Sequence, residues 1–160
     1  MPQLKELCLF CIEKIEPTDF ENLDILQILV LRRMIGVEIK EDTFINLKNL
    51  RLLDLSWNEN LTSIHPNAFR DLDRLAILDI SRTQLFPKRV LKGAWLSGLN
   101  SLAKLIVRDC SLKNVDSDTF VNMTNLRVID LTGNSALRKY KKEIEEFLLK
   151  KYKFLDRVLL

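Results

Sequence analysis

Aliphatic residues recur along the chain in triplets with the spacing L-x-x-L-x-L, in which Ile or Val replaces some of the leucines. The six copies begin at Leu4, Leu26, Leu50, Leu75, Leu102 and Leu126. Successive copies start 22, 24, 25, 27 and 24 residues apart. The last two members of each triplet have the two-residue spacing of a strand that buries one face. The pattern therefore predicts six short strands at a nearly constant period.

A second column of apolar residues precedes each triplet after the first. Its members stand six and three residues before the next start: Phe20 and Leu23, Phe44 and Leu47, Phe69 and Leu72, Leu96 and Leu99, Phe120 and Met123. One repeat cannot bury its own apolar face, so neighbouring repeats must stack and share a core. Two columns in phase predict a stacked core with strands on one side and the Phe column closing the other.

This pattern resembles the leucine-rich repeat family, in the form typical of Toll-like receptor ectodomains, Slit-type guidance proteins and insect immune proteins. The resemblance extends over residues 4–140. It implies an α/β fold: a right-handed, horseshoe-shaped solenoid with a concave parallel β-sheet and a convex side made mostly of loops and short turns. We expect residues 1–160 to form a single domain of about six repeats.

In this family the turn after each strand usually holds an asparagine, whose amide bonds to the backbone between adjacent repeats. Here that column reads Met34, Asn58, Thr83, Cys110 and Asn134. Thr and Cys side chains form weaker hydrogen bonds, and a Met side chain has no donor. We therefore expect this ladder to be interrupted at Met34.

Three repeats depart from the regular length. The first is two residues short between Leu9 and Ile12. The third has one extra residue, and we expect Leu61 rather than Asn60 to turn inward. The fourth is the longest, with an insertion over residues 87–95. Because insertions in solenoids map to loops, this segment is either a second candidate binding loop or a neutral length variant.

Neither end of the chain carries the cysteine-rich cap that is usual in extracellular members. Residues 141–155 have one apolar helical face and predict a C-terminal capping helix. The alternative is a partner-binding or membrane-surface helix, although mixed Glu and Lys argue against the membrane. The uncapped strand at residues 4–9 predicts homo-association through its edge, or else a truncated chain.

Residues between the leucines project from the concave sheet and are the candidates for partner binding. We single out Arg33, Trp57, Arg82, Asp54, Asp79, Ile106 and Arg108. Arg and Trp are enriched at interface hot spots, so Trp57 between Arg33 and Arg82 is the predicted centre. The alternative is that Trp57 packs flat against its neighbours.

Three aspartates, Asp54, Asp79 and Asp130, hold the same repeat position. They form either a cation- or basic-partner site or an ordinary structural column of the family. Ile106 interrupts the column, which makes it a poor oxygen cage for calcium.

Catalysis and metal binding have little support in the sequence. Cys8 and Cys11 have the C-x-x-C spacing, but Leu9 between them belongs to a core strand, so we expect the two sulfurs to diverge. We expect Cys110 to be buried in the turn column. His65 has no nucleophile at a fixed spacing. We predict no enzyme activity, no cofactor and no metal site.

Charge and short motifs bear on the partner and the compartment. The net charge of +3 is too small to indicate nucleic-acid binding, and no apolar run is long enough to cross a bilayer. Free cysteines and the lack of a recognisable signal peptide favour the cytoplasm. Sequons for N-glycosylation at Asn60 and Asn122 favour an extracellular origin instead.

The resemblance implies a non-enzymatic module that recognises a protein ligand or receptor partner through the concave sheet. It places that module in an extracellular or receptor-type protein of innate immunity or adhesion. An intracellular scaffold or adaptor of the same fold is the alternative, and a self-associating assembly unit is another.

Overall fold

The computed structural model describes residues 3–86 and 88–160. The strands are β1 (Glu6–Phe10), β2 (Ile28–Arg32), β3 (Glu38–Ile39), β4 (Leu52–Asp54), β5 (Ser63–Ile64), β6 (Ile77–Asp79), β7 (Val90–Leu91), β8 (Lys104–Ile106), β9 (Asn114–Val115), β10 (Val128–Asp130) and β11 (Arg157–Leu159). One α-helix, α1, spans Lys141–Lys151, and 3-10 turns span Pro17–Phe20, Ala94–Gly98 and Leu137–Tyr140.

Seven strands form a single parallel sheet in the order β1-β2-β4-β6-β8-β10-β11. The middle residues of the triplets align across neighbouring strands and are fully buried: Leu29, Leu53, Leu78, Leu105 and Ile129. Parallel strands need a crossover on one face, and such crossovers are right-handed. The predicted right-handed solenoid with a concave parallel sheet is therefore confirmed.

The opposite side of the solenoid consists of turns and two short strand pairs, β3 with β5 and β7 with β9. Beneath them the predicted Phe column closes the core. The ring centres of Phe20 and Phe44 are 5.8 Å apart, and those of Phe44 and Phe69 are 5.9 Å apart. Aromatic pairs at such distances contribute about 0.5–1.5 kcal/mol beyond the burial of their area.

The insertion of the fourth repeat contributes a strand to the outer side of the solenoid and a buried side chain to its core. Its first residue, Pro87, lies outside the described residues, but the segment forms β7 and continues to Trp95, which is only 5% exposed. The Trp95 ring meets Phe69 edge-on at 5.8 Å and so extends the aromatic column. Trp95 is therefore a core residue and is not available to a partner at the surface. Burial of its large apolar ring stabilises the fold.

The asparagine ladder reaches the Met34 backbone from the following repeat, whereas the Met34 side chain, as expected, has no donor to offer the first repeat. The Met34 backbone N–H donates to Oδ1 of Asn58 at 2.7 Å. The Asn58 amide nitrogen donates to the carbonyls of Leu31 and Leu55 at 2.8 and 2.7 Å. Each amide therefore serves the preceding repeat, and position 34 needs only its backbone. The Met34 side chain is free to pack in the core, where it is buried.

The C-terminal helix is shorter than predicted. It ends at Lys151 instead of extending to residue 155. Leu148 is fully buried, as its helical face predicts, whereas Phe147 on the predicted apolar face is 45% exposed. The helix packs on the core with fewer apolar residues than the sequence spacing predicted, because Phe147 stays exposed.

A seventh strand follows the helix and was not predicted. Leu155, Val158 and Leu160 repeat the triplet spacing, and β11 pairs in parallel with β10. Tyr152 then takes the outer aromatic position, with its ring 5.7 Å from that of Phe120. The C-terminal segment is thus one more turn of the solenoid, with α1 in place of the usual outer loop.

Candidate functional site

The residues of the main sheet that alternate with the core leucines lie in three columns that cross the strands; among them Asp54, Ser56, Ser81 and Asp130 are buried. The first column contains Glu6, Ile28, Leu52, Ile77, Lys104, Val128 and Arg157. The second contains Cys8, Val30, Asp54, Asp79, Ile106, Asp130 and Leu159. The third follows two residues later with Phe10, Arg32, Ser56, Ser81, Arg108 and Thr132. We refer to these three columns as the concave face.

The concave face combines an apolar strip with balanced charges. Half-buried aliphatic residues of the first two columns form the strip: Ile28, Val30, Leu52, Ile77 and Ile106. The three columns contain four acidic residues (Glu6, Asp54, Asp79 and Asp130) and four basic ones (Arg32, Lys104, Arg108 and Arg157). The face has a formal charge of zero, so it lacks the basic surface that a phosphate backbone requires.

Two of the three aspartates are held by arginines of the preceding strand. Nε of Arg32 donates to Oδ2 of Asp54 at 3.1 Å, and Nε of Arg108 donates to Oδ2 of Asp130 at 2.8 Å. A second guanidinium nitrogen of each arginine bonds to the same oxygen. Arg32 was not among the predicted site residues, although it holds the same repeat position as Arg108.

The buried Asp130 carboxylate is stabilised in its charged form. Burial acts to raise its pKa, but hydrogen bonds from Arg108 and Thr132 together outweigh burial, and the pKa lies below the usual value. The hydrogen bond to Asp130 is likewise the main reason why the pKa of Arg108 is raised. These two residues form one structural ion pair at the edge of the concave face.

Asp79 occupies the same column without such an arginine. Its Oδ1 accepts the backbone N–H of Ser81 at 2.9 Å, and among the described residues no basic side chain forms an ion pair with it. Burial raises the pKa of Asp79, and the nearby Asp54 carboxylate adds to the rise. Asp79 is therefore the one aspartate of the column whose charge the fold does not neutralise.

Arg33, Trp57 and Arg82 stand at the rim of the concave face. They hold one position in consecutive repeats, directly after the third column, with φ of 55°, 62° and 55°. Positive φ is uncommon for residues other than glycine and turns the chain sharply out of the strand. Asp109 and Gly133 continue this column with φ of 52° and 80°. The predicted centre therefore lies at the rim, separated from the apolar strip by the third column.

Trp57 is packed against a neighbour and is also exposed. The guanidinium carbon of Arg82 lies 3.8 Å from the centre of the Trp57 ring. Arg82 is itself paired with Asp109, with 3.1 Å between Nη2 and Oδ2. Trp57 nevertheless remains 41% exposed. The contact with Arg82 agrees with the interpretation that Trp57 packs against a neighbour, and its role as the centre of a binding site stays a prediction.

The two sequons lie on exposed turns. Asn60 is exposed, whereas Leu61 after it is fully buried, as the extra residue of the third repeat predicts. Asn122 is also exposed, and Met123 after it is buried. Asn60 lines a shallow groove that also contains Trp57, so a glycan there would stand next to the rim.

The cysteines and the histidine are separate from one another. Cys8 and Cys11 are exposed thiols near β1, and Cys110 is buried in the turn column as expected. The Cys110 thiol donates to the carbonyls of Ile80 and Arg108, and burial raises its pKa. His65 lies on an exposed outer turn. Residues 3–86 and 88–160 contain no cluster of three or more His, Cys, Asp or Glu placed to hold a metal ion.

No helix in the described part of the chain has both the length and the hydrophobicity needed to cross a membrane.

Comparison with known proteins places this architecture in context. A family model for leucine rich repeats matches residues 36–85. A probable disease resistance protein of Arabidopsis thaliana is 32% identical over 101 residues, covering 62% of this chain and 8% of that protein. Toll-like receptor 5 of Homo sapiens is 30% identical over 139 residues, covering 84% of this chain and 16% of the receptor. The chain thus spans only a small part of the length of these relatives.

A solved structure agrees with the fold. The crystal structure of the TLR13–ssRNA13 complex superimposes with a TM-score of 0.62 and 25% sequence identity. The match covers 82% of this chain and 22% of that chain.

Proposed function

The chain belongs to the leucine-rich repeat family, and from this premise we propose that it is a non-enzymatic domain that binds a protein partner across its concave face. The observation that carries the proposal is the apolar strip of Ile28, Leu52 and Ile77, with the exposed Trp57 at the rim of the same face. Exposed apolar surface rimmed by polar groups is typical of protein interaction sites. The strip lies on a sheet that is ordered before binding, which reduces the entropy lost on association.

A protein is favoured over a nucleic acid because the concave face is electrically neutral. The RNA of the TLR13–ssRNA13 complex belongs to that receptor and does not carry over to this chain. Binding a phosphate backbone depends on a surplus of Lys and Arg. The paired Arg32 and Arg108 supply no such surplus, since each is already bonded to an aspartate.

The similarity to Toll-like receptors supports an extracellular, receptor-type setting. The exposed sequons at Asn60 and Asn122 are consistent with it. An intracellular scaffold or adaptor is the alternative. Mass spectrometry of the native protein separates the two, because glycan on either asparagine requires passage through the secretory pathway.

The proposal is tested by placing a charge in the middle of the strip. Ile77→Lys changes the concave face, and Val121→Lys, at a residue that is 52% exposed on the outer side, is the matched control. Each immobilised variant is used to capture proteins from fluid and cytosol of the source. The proposal requires a protein that wild type and Val121→Lys retain and Ile77→Lys loses. Equal retention by all three contradicts it.

Self-association is a second candidate, favoured by one observation. In the described part of the chain β1 pairs with β2 alone, and Phe10 at its end is 54% exposed. An open strand edge offers unpaired backbone groups to another chain. Light scattering over a range of concentrations tests this, and a monomer at every concentration rejects it.

A further inference from the structure

The third column of the concave face holds the partners of the aspartate column. In this arrangement the residue on one strand faces the aspartate of the next strand. Arg32 faces Asp54 and Arg108 faces Asp130, each with hydrogen bonds to Oδ2. The residue in the corresponding position for Asp79 is Ser56, which lies in register with Arg32 and Ser81. One of the three carboxylates therefore faces a serine where the other two face a guanidinium.

Ser56 does not replace the missing cation. The residue is 2% exposed, and its hydroxyl oxygen has no hydrogen-bond partner. A buried hydroxyl without a partner is rare in folded proteins, because it loses its bonds to water and gains none. Its backbone N–H donates to Oδ1 of Asp54 at 2.8 Å, which places Ser56 beside the aspartate column.

Asp79, next to Ser56, has no ion-pair partner among the described residues. The Ser81 backbone and hydroxyl are its hydrogen-bonding partners, and the raised pKa of Asp79 reflects burial without a paired cation. The second and third columns together contain three carboxylates but only two arginines. A carboxylate with spare hydrogen-bonding capacity and an orphan hydroxyl are the two groups that a cationic donor would satisfy together.

The surroundings of Asp79 define the shape of such a donor. Ile77 precedes it on the same face, and Ile106 is its neighbour in the next strand. Arg32 and Arg108 on either side are neutralised by their own aspartates and do not repel a third cation strongly. A long side chain with an apolar stem and a charged end matches these surroundings, as Arg and Lys side chains do.

We propose that the half-buried Asp79 carboxylate, next to Ser56, receives an arginine side chain of the bound protein, flanked by aliphatic residues of the same segment. The inserted guanidinium completes the row of Arg–Asp pairs across the sheet. Arginine fits better than lysine because its planar fork can donate to a carboxylate and to a second acceptor at once. This inference rests on the proposed function and specifies the chemistry of the partner.

A small probe tests the subsite without knowledge of the partner. The probe is the tripeptide Leu-Arg-Leu, blocked at both ends, and its control carries citrulline, which keeps the shape of arginine without its charge. Amide NMR shifts are followed at Ser81, which is bonded to Asp79, and at Ser56, whose amide is bonded to the already paired Asp54. We expect a saturable shift at Ser81 with the arginine peptide and none with citrulline.

Two variants complete the test. Asp79→Asn removes the charge, and Ser56→Arg supplies the missing guanidinium within the chain; both should abolish the response at Ser81. No shift at Ser81 in the wild type, an equal shift with citrulline, or an undiminished shift in Asp79→Asn would each overturn the inference. If Ser56→Arg does not fold, Asp79→Asn decides alone.

Together with the capture experiment on Ile77→Lys, the probe distinguishes failure of this inference from failure of the proposed function. Failure of the probe alongside loss of capture removes the arginine subsite and leaves recognition by the concave face in place. Retained capture by Ile77→Lys overturns both.

Discussion

The guanidinium of Arg82 lies over the indole of Trp57, with 3.8 Å between the guanidinium carbon and the ring centre. Asp109 in the next repeat holds the other side of Arg82. The attraction between a cation and an aromatic face thus orients Trp57 while 41% of the residue stays exposed. An ordered aromatic side chain loses little rotamer freedom on binding, which suits an interface anchor.

Trp57→Ala should weaken partner binding by about 2 kcal/mol or more, as truncation of a hot-spot residue does. Titration calorimetry with the captured protein measures the effect. The free energy of unfolding should change by less than about 1 kcal/mol, because the side chain is not part of the core. Unchanged affinity in a folded variant would move the centre of the interface to the apolar strip.

Leu78→Ala should destabilise the chain by about 2–5 kcal/mol, because it leaves a cavity in a fully packed row. Leu78 is fully buried between Leu53 and Leu105 in the register of the sheet. Ile77→Ala is the matched control, since Ile77 faces the other side and is half-buried. Urea unfolding should show the larger loss for Leu78→Ala. Equal losses would contradict the assignment of the buried face.

Asn58→Ala should destabilise the chain by about 2–4 kcal/mol, since buried backbone groups left without partners cost about 1–3 kcal/mol each and water replaces part of the loss. The amide of Asn58 bonds to Met34, Leu31 and Leu55. Thr83→Val removes the hydrogen bond to the carbonyl of Ile80 and a weak contact with the Cys110 thiol, and should cost about 1 kcal/mol. The ordering of the two variants in urea unfolding checks the ladder, and a smaller loss for Asn58→Ala would reject it.

The fold was predictable from the sequence because its main signal is periodic. Each triplet places apolar side chains where stacking buries them, so counting positions was sufficient to predict the sheet. The seventh triplet, at Leu155, Val158 and Leu160, was missed because its apolar residues also continue the helical spacing of Ile144 and Leu148. A short apolar run fits both periods, and only the pairing with β10 decides between them.

Features that depend on pairing between repeats were less predictable. The sequence indicated that the Met34 side chain has no donor, but not that the amide of Asn58, one repeat later, bonds to the Met34 backbone. The pairing of Arg32 with Asp54 depends on the register of β2 and β4. Sequence spacing identified the aspartate column but not which of its members the fold neutralises.

Asp130→Asn should destabilise the chain by about 1–3 kcal/mol at neutral pH, because it weakens charge-assisted hydrogen bonds of a buried group. The folded pKa of Asp130 is lowered, so its contribution is present above the unfolded pKa and is lost as pH falls through the folded pKa. The difference between wild type and variant should therefore shrink in acid. A difference that is constant with pH, measured by thermal unfolding, would contradict the role given to Arg108.

Asp79→Asn should behave in the opposite way. The folded pKa of Asp79 is raised by burial and, to a lesser extent, by the nearby Asp54, while hydrogen bonds from Ser81 and the charge of Arg108 act against the rise without cancelling it. A raised pKa means that the folded chain holds the proton more tightly than the unfolded chain. The contribution of Asp79 to the free energy of unfolding therefore falls as pH rises from the unfolded pKa through the folded pKa. At neutral pH the asparagine variant avoids that cost.

We expect Asp79→Asn to be more stable than wild type at neutral pH by up to about 0.5 kcal/mol, within the range usual for substitutions outside the core. The advantage should disappear in acid, where both side chains are neutral. Thermal unfolding of wild type, Asp79→Asn and Asp130→Asn across the same pH series measures the two opposite trends. A carboxylate that costs stability and is nevertheless placed at the middle of the sheet is what a binding residue requires, because its charge is compensated only when the partner is bound. Destabilisation by Asp79→Asn at neutral pH would show instead that Asp79, like Asp130, supports the fold.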